Sequence, residues 1–282
     1  MKIAIASGKG GTGKTTIATN LACSIARMGR GAQYLDCDVE EPNGHIFLKP
    51  EIEETQDVTM GVPEVDHQLC DGCGKCGELC QYSAIVCLKG NVMTFEALCH
   101  SCGGCMAVCP QSAIKEKQRK IGIVEIGRAN GVLYGGGKLD IGVIQSPALI
   151  RHVKQKAPNS DTVVIDAPPG TSCPVIEAVK GADFVLLVTE PTPFGLNDLI
   201  LAVDMVRELG LAFAVAINRS DIGDNRVVEY CQQEGIEILL EIPNDRLIAE
   251  AYSQGIKIID ALPGYEEKFA HLFQKINASV AV

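Results

Sequence analysis

The chain has 282 residues, of which 46% are hydrophobic and 21% charged, with a formal net charge of −10. That composition suits a globular domain and excludes a disordered one. Acidity also excludes sequence-independent nucleic-acid binding, which requires Lys and Arg to neutralise phosphates, and no Lys/Arg run offers a local basic patch. Residues 1–7 form an apolar run too short for a signal-peptide core. No stretch approaches the roughly 20 apolar residues of a membrane span. A cytoplasmic protein without membrane association is expected. In a reducing compartment thirteen cysteines point to metal rather than disulfides.

In chain order the pattern predicts a strand at 2–7, a Gly-rich loop, a helix over 15–28 and a strand at 31–36, followed by loop to about residue 63. Helical spacing at 15–28 is carried by Ile17, Leu21, Ile25 and Met28. From 64 to 118 cysteine and glycine dominate, and apolar runs are too short for a conventional core. Strands are then expected at 121–126, 132–134, 162–166, 184–189, 212–218 and 236–241. Helices are expected at 146–156, 173–180, 195–209, 224–234, 245–254 and 265–279. Strands alternating with helices imply an α/β fold, a mostly parallel sheet with helices on both faces. Continuous apolar strands such as 163–165 and 184–188 agree, because both of their faces are covered. The chain thus reads as one α/β domain in two parts, 1–63 and 119–282, interrupted by a small α+β insert at 64–118.

Gly8-Lys9-Gly10-Gly11-Thr12-Gly13-Lys14-Thr15-Thr16 fits GxxxxGK[ST] after a strand and before a helix, the setting a P-loop requires. Glycines let successive backbone N–H groups converge on phosphate oxygens, and the helix N-terminus adds a favourable dipole. Lys14 is expected on the β- and γ-phosphates and the Thr15 hydroxyl on Mg²⁺.

Lys9 makes the motif more specific: Lys-Gly-Gly-Thr-Gly-Lys-Thr resembles the deviant Walker A of MinD, ParA, the nitrogenase iron protein and the Mrp-type scaffold ATPases. The resemblance covers roughly 1–63 and 119–282. It implies ATP and Mg²⁺ as cofactors and a nucleotide-dependent homodimer, or a heterodimer with a paralogue, in which Lys9 reaches the partner's phosphates. Asp36-Cys37-Asp38-Val39-Glu40-Glu41-Pro42-Asn43 resembles the switch I of that family, which implies Asp38 as the residue orienting the attacking water and Asp36 as a Mg²⁺ group. Val163-Val164-Ile165-Asp166 followed by Ala167-Pro168-Pro169-Gly170 resembles Walker B and switch II, with Asp166 at the Mg²⁺. Asn218, at the end of a late strand, is implied at the adenine edge, with Pro243 bordering the base; a loop-capping role is the alternative for Asn218.

Cys70, Cys73, Cys76 and Cys80 are followed by Cys99, Cys102, Cys105 and Cys109-Pro110. This is the C-x₂-C-x₂-C-x₃-C spacing of bacterial two-cluster ferredoxins, present twice, with Gln81 in place of the first proline. The fourth cysteine of each run ligates the other cluster in that pattern. One [4Fe–4S] cluster is therefore expected on Cys70, Cys73, Cys76 and Cys109, and the second on Cys80, Cys99, Cys102 and Cys105. Zinc is the rival metal for Cys-x-x-Cys. Cys23, Cys87 and Cys231 read as small buried hydrophobes. Cys173 is either a structural thiol at a helix start or a group that transiently binds metal.

The combination resembles MinD-type ATPases carrying an inserted ferredoxin domain. It implies an ATPase whose cycle acts on metal or Fe–S cofactor assembly, or on ATP-gated electron transfer, with a redox or cofactor-maturation protein as partner. A MinD-like spatial organiser with redox-sensing clusters and a non-catalytic adaptor are the alternatives. For the former, the apolar positions Phe269, Leu272, Phe273 and Ile276 of the last helix predict packing on the sheet rather than on a membrane.

Overall fold

The computed structural model describes residues 1–156 and 160–280. The chain opens with β1 (Lys2–Ala6), α1 (Lys14–Arg27), β2 (Ala32–Asp36), α2 (Gly44–Leu48) and β3 (Glu51–Val65). It continues through α3 (Lys75–Leu79), β4 (Ile85–Leu88), β5 (Asn91–Thr94), α4 (Gly104–Ala107), β6 (Ile114–Ala129), β7 (Val132–Leu139) and α5 (Ser146–Lys156). The remainder is β8 (Thr162–Asp166), α6 (Cys173–Val179), β9 (Phe184–Thr189), α7 (Pro193–Glu208), β10 (Phe213–Asn218), α8 (Arg226–Gln233), β11 (Ile238–Ile242), α9 (Arg246–Ser253), α10 (Ile258–Ala261) and α11 (Tyr265–Val280).

Two compact units are formed. The first comprises Met1–Thr55, Val124–Lys138 and Ile150–Val282, and the second Gln56–Ile123 and Leu139–Leu149. The sheet order is β11-β10-β9-β1-β8-β2-β7-β6-β3. From β11 to β7 every determined pairing is parallel. Strands β8 and β9 are buried at every residue, as their unbroken apolar runs require when helices cover both faces. β1 lies between β8 and β9, so the chain leaves it toward the sheet's topological switch point, where the carboxyl ends of parallel strands open a crevice.

α1 buries Ile17, Leu21 and Ile25, one stripe at four-residue intervals, in the core shared with Ile3, Ile5 and Tyr34. α11 buries Tyr265, Phe269, Leu272, Phe273 and Ile276 in the same core. Each such side chain contributes about 1.5–3 kcal/mol by leaving water. The apolar face of α11 is therefore occupied within the fold. No helix among the described residues is long and apolar enough to cross a membrane.

The long strands β3 and β6 depart from the sequence expectation of loop up to residue 63 and a short strand at 121–126. The first half of β3, Glu51-Ile52-Glu53-Glu54-Thr55, is exposed throughout, and period-2 burial begins only at Val58, Met60 and Val62. A solvated edge strand carries no apolar alternation for periodicity to detect. Its edge position also accommodates Pro63, which cannot donate to a ladder. Ion pairs Glu53–Arg128 and Asp57–Lys120, and a Thr59–Gln118 hydrogen bond, run in opposite sequence directions and mark β3 and β6 as antiparallel. β6 turns into β7 through Asn130-Gly131, both at positive φ, the two-residue hairpin turn whose twist matches its strands.

Within the second unit, β4 and β5 form an antiparallel hairpin around Lys89-Gly90, again both at positive φ. The Ser-Ala-Ile segments after each cysteine run are equivalent. Ser83 and Ser112 both adopt left-handed φ, and Ala84, Ile85, Ala113 and Ile114 are buried.

Candidate functional site

The first unit gathers its chemistry at the carboxyl ends of its strands. The loop after β1 leads into α1, whose N-cap, Gly13, has φ 95°. A Cβ there would also collide with the Asn218 amide, so the left-handed turn and the close approach both require glycine. A cavity at this point is lined by Gly10, Gly11, Gly13, Lys14, Thr15 and Thr16, and also by Asp38, Asn218 and Pro243. Gly8 packs against the backbone of Asp198, and Thr12 is buried.

Lys14 is only 7% exposed. Burial pulls its ammonium below the usual lysine range, while Asp166 and Asp38 act in the opposite direction. Asp36 and Asp166 are register partners on β2 and β8 and are 0% and 1% exposed. Burial raises the pKa of both, and for Asp36 the neighbouring Asp166 charge raises it further. Asp38 is pushed up to about 6, chiefly by burial and then by Asp166, with Lys14 opposing. Three carboxyls held against one ammonium form a site built for additional positive charge. Asp36 Oδ1, Asp166 Oδ1 and Thr12 Oγ1 are buried without a hydrogen-bond partner among the described residues. The Thr15 hydroxyl and the Tyr34 phenol oppose the rise in pKa at Asp166. These orphaned oxygens beside a threonine hydroxyl fit a hydrated divalent cation, and the glycine-rich turn fits phosphate.

Three contacts here have no signal in local sequence. The Tyr34 hydroxyl donates to Asp166 Oδ2 at 2.8 Å. Asn218 Nδ2 donates to the Thr12 carbonyl at 2.9 Å while its Oδ1 accepts from Arg219 N, so this side chain ties β10 to the phosphate loop as well as lining the cavity. Glu190, directly after β9, accepts from Arg219 at 2.8 Å and lies 3.7 Å from Lys9 Nζ. Lys9 is thus held by a carboxylate of its own chain and does not line the cavity.

In the second unit the cysteines divide between two cavities. One is lined by Cys70, Cys73, Cys76 and Cys109. The other is lined by Cys80, Cys99, Cys102 and Cys105. In each, three cysteines come from one run and the fourth from the other. Backbone amides point at the sulfurs: Ser101 N to Cys99 Sγ at 3.4 Å and Ala113 N to Cys109 Sγ at 3.3 Å. Burial raises Cys80, but the amides of Ile85, Tyr82, Ala84 and Ser83 together bring its thiol below the usual range. Burial pushes Cys76 and Cys105 up. Among the described residues no three Cys, His, Asp or Glu side chains converge on a single ion.

Gln145 is the residue that spacing could not find. It is 4% exposed, and its Nε2 donates to the carbonyls of Ala97 at 3.0 Å and Cys99 at 2.9 Å, fixing the loop that presents the second run. Tyr82 and His100 stack over the same cavity with ring centroids 3.6 Å apart. Cys23 and Cys231 are buried, Cys87 is partly exposed with Sγ 3.5 Å from the Gly72 carbonyl, and Cys173 is exposed at the start of α6.

Residues 3–258 match the CobQ/CobB/MinD/ParA nucleotide binding domain. An uncharacterised protein of Methanocaldococcus jannaschii is 31% identical over 98% of this chain and 96% of its own length. An iron-sulfur cluster carrier protein of Pyrococcus horikoshii is 26% identical over 92% of this chain and 79% of its own. Among solved structures, the septum site-determining protein MinD of Pyrococcus horikoshii, complexed with Mg-ADP, superposes with a TM-score of 0.62 at 23% identity, covering 98% of this chain and 96% of that one. With a family match across most of its length and a P-loop at the switch point of a parallel sheet, the chain belongs to the CobQ/CobB/MinD/ParA nucleotide-binding family and is a P-loop ATPase.

Proposed function

We propose that this ATPase is Mg-ATP-dependent and dimerising, and that its cycle is coupled to two [4Fe–4S] clusters, serving Fe–S or metal cofactor assembly or ATP-gated electron transfer to a partner protein. One observation carries the reading: eight cysteines of a P-loop ATPase chain divide three-plus-one between two cavities. That crossing is the ligation of two-cluster ferredoxins. The name of the Pyrococcus horikoshii relative, an iron-sulfur cluster carrier, supports the same direction. Zinc is the rival metal for Cys-x-x-Cys; the doubled three-plus-one spacing favours clusters, and the amide-to-sulfur bonds suit thiolates on either metal.

Cys70, Cys73, Cys76 and Cys109 would hold one cluster, and Cys80, Cys99, Cys102 and Cys105 the other. When bound, the clusters supply one-electron chemistry or transferable iron and sulfide. At the nucleotide, Lys14 and the loop amides would bind phosphate, and Thr15, Asp36 and Asp166 would hold the hydrated Mg²⁺. Asp38 orients the attacking water. Lys9 leaves Glu190 and enters the partner subunit's phosphate site, where a second cation stabilises charge developing in the transition state. Asn218 and Pro243 border the base. A MinD-like membrane organiser is the weaker reading, because the apolar face of α11 is buried in the fold.

The test is anaerobic purification with iron and sulfide quantitation, beside ATP turnover in the parent and Lys14→Ala. The reading predicts about eight irons per chain and turnover that is lost in the variant. Zinc in place of iron, or turnover indifferent to Lys14→Ala, would overturn it.

A further inference from the structure

β2 carries Tyr34 two residues before Asp36, so both side chains leave the same face of the strand. Tyr34 is fully buried and stacks on Tyr134 with centroids 6.1 Å apart. Its hydroxyl meets both a carboxylate and a loop glycine. It donates to Asp166 Oδ2 at 2.8 Å, and it rests against the Cα of Gly44, where any Cβ would collide with it. Gly44 closes the switch I segment, and its N–H donates to Asp36 Oδ2 at 2.9 Å. At the other end of that segment, Cys37 N donates to the Asp166 carbonyl at 2.9 Å. The two buried carboxylates therefore each have one oxygen engaged by the protein. Their remaining oxygens, Asp36 Oδ1 and Asp166 Oδ1, are buried and unpartnered.

A buried carboxylate with both oxygens free can rotate and offer either one. With Oδ2 tied to a phenol on a stacked ring, Asp166 presents a single oxygen in a fixed direction. A buried hydroxyl is costly unless it is hydrogen-bonded, and Tyr34 spends its proton on Asp166 Oδ2. From this geometry we infer that Tyr34 is the positioning residue for the Mg²⁺ of the nucleotide site, holding Asp166 and, through Gly44, the end of switch I in the arrangement that binds the hydrated cation. The inference rests on the Mg-ATP reading of this pocket. Tyr34 is fully buried and does not line the cavity. It acts through Asp166, as partners of metal-orienting carboxylates do, and loss of such a partner typically weakens metal affinity 10–100-fold.

Tyr34→Phe keeps the ring and its stacking and removes only the donor. Fluorescent ATP-analogue binding to the full chain is titrated with Mg²⁺ at equilibrium, alongside turnover at graded Mg²⁺. The expected result is a half-saturating Mg²⁺ raised at least tenfold. Metal-free nucleotide affinity stays within twofold of the parent, and turnover recovers at high Mg²⁺. A half-saturating Mg²⁺ within twofold of the parent would overturn the inference, as would equal weakening with and without metal. Gly44→Ala, which pushes on the same hydroxyl from the loop side, gives a second reading, with the same Mg²⁺-specific shift expected. If the parent itself shows no Mg²⁺ dependence, the reading of the pocket fails, which is distinct from failure of Tyr34's role. Circular dichroism confirms that each variant is folded.

Discussion

Two double variants separate crossed from local ligation of the cysteine runs. Cys109 shares a cavity with Cys70, Cys73 and Cys76, and Cys80 shares one with Cys99, Cys102 and Cys105. Removing Cys70 costs one ligand of the first cavity. Adding Cys109→Ala costs another ligand of the same cavity, so the second keeps four thiolates and the pair Cys70→Ala/Cys109→Ala retains about four of eight irons. Cys70→Ala/Cys80→Ala instead takes one ligand from each cavity, and iron falls toward zero. Local ligation, in which Cys80 completes the first run, reverses the two outcomes. The readout is iron and acid-labile sulfide per chain after anaerobic reconstitution, with EPR of the reduced protein to count clusters. Near-zero iron in Cys70→Ala/Cys109→Ala together with about four in Cys70→Ala/Cys80→Ala would refute the reasoning.

Asn218→Ala removes the bond to the Thr12 carbonyl. Losing a neutral hydrogen bond of about 1 kcal/mol predicts nucleotide binding weaker by roughly fivefold in a direct titration. The pKa of Asp38 is raised to about 6 by burial and then by Asp166, so folding favours its neutral form. Its contribution to stability is complete below the ordinary aspartate pKa near 4 and is lost as pH rises through about 6. Melting of the nucleotide-free protein between pH 4 and 7.5 should thus fall with pH, and Asp38→Asn should flatten the curve. Phe273, 2% exposed in the α11 core, predicts a loss of about 3–5 kcal/mol on Phe273→Ala in urea unfolding.

What the sequence made legible was local. A phosphate loop is nine consecutive residues, and each cysteine run spans eleven, so spacing alone conveys them. Apolar strands such as β8 and β9 declare themselves because both faces are covered. The polar half of β3 does not, because its partners lie in β6 and its exposed face carries charge. The site's remaining determinants are pairs distant in sequence. Tyr34 meets Asp166, Lys9 meets Glu190, and Gln145 meets the Cys99 carbonyl only after the sheet and loops have formed. A tyrosine in a buried strand reads as core, and nothing local marks its hydroxyl as the holder of a carboxylate. Asn218 was legible as a residue at a strand end, but its bond to the phosphate loop was not.

The measurement that bears most directly on coupling between nucleotide and clusters is an anaerobic EPR redox titration of the reconstituted protein, with and without MgATP. The account predicts a shift in midpoint potential of about 59 mV or more, a tenfold coupling for a one-electron couple, absent in Lys14→Ala. Identical potentials with and without nucleotide, in protein shown to hold both clusters and to bind MgATP, would contradict it.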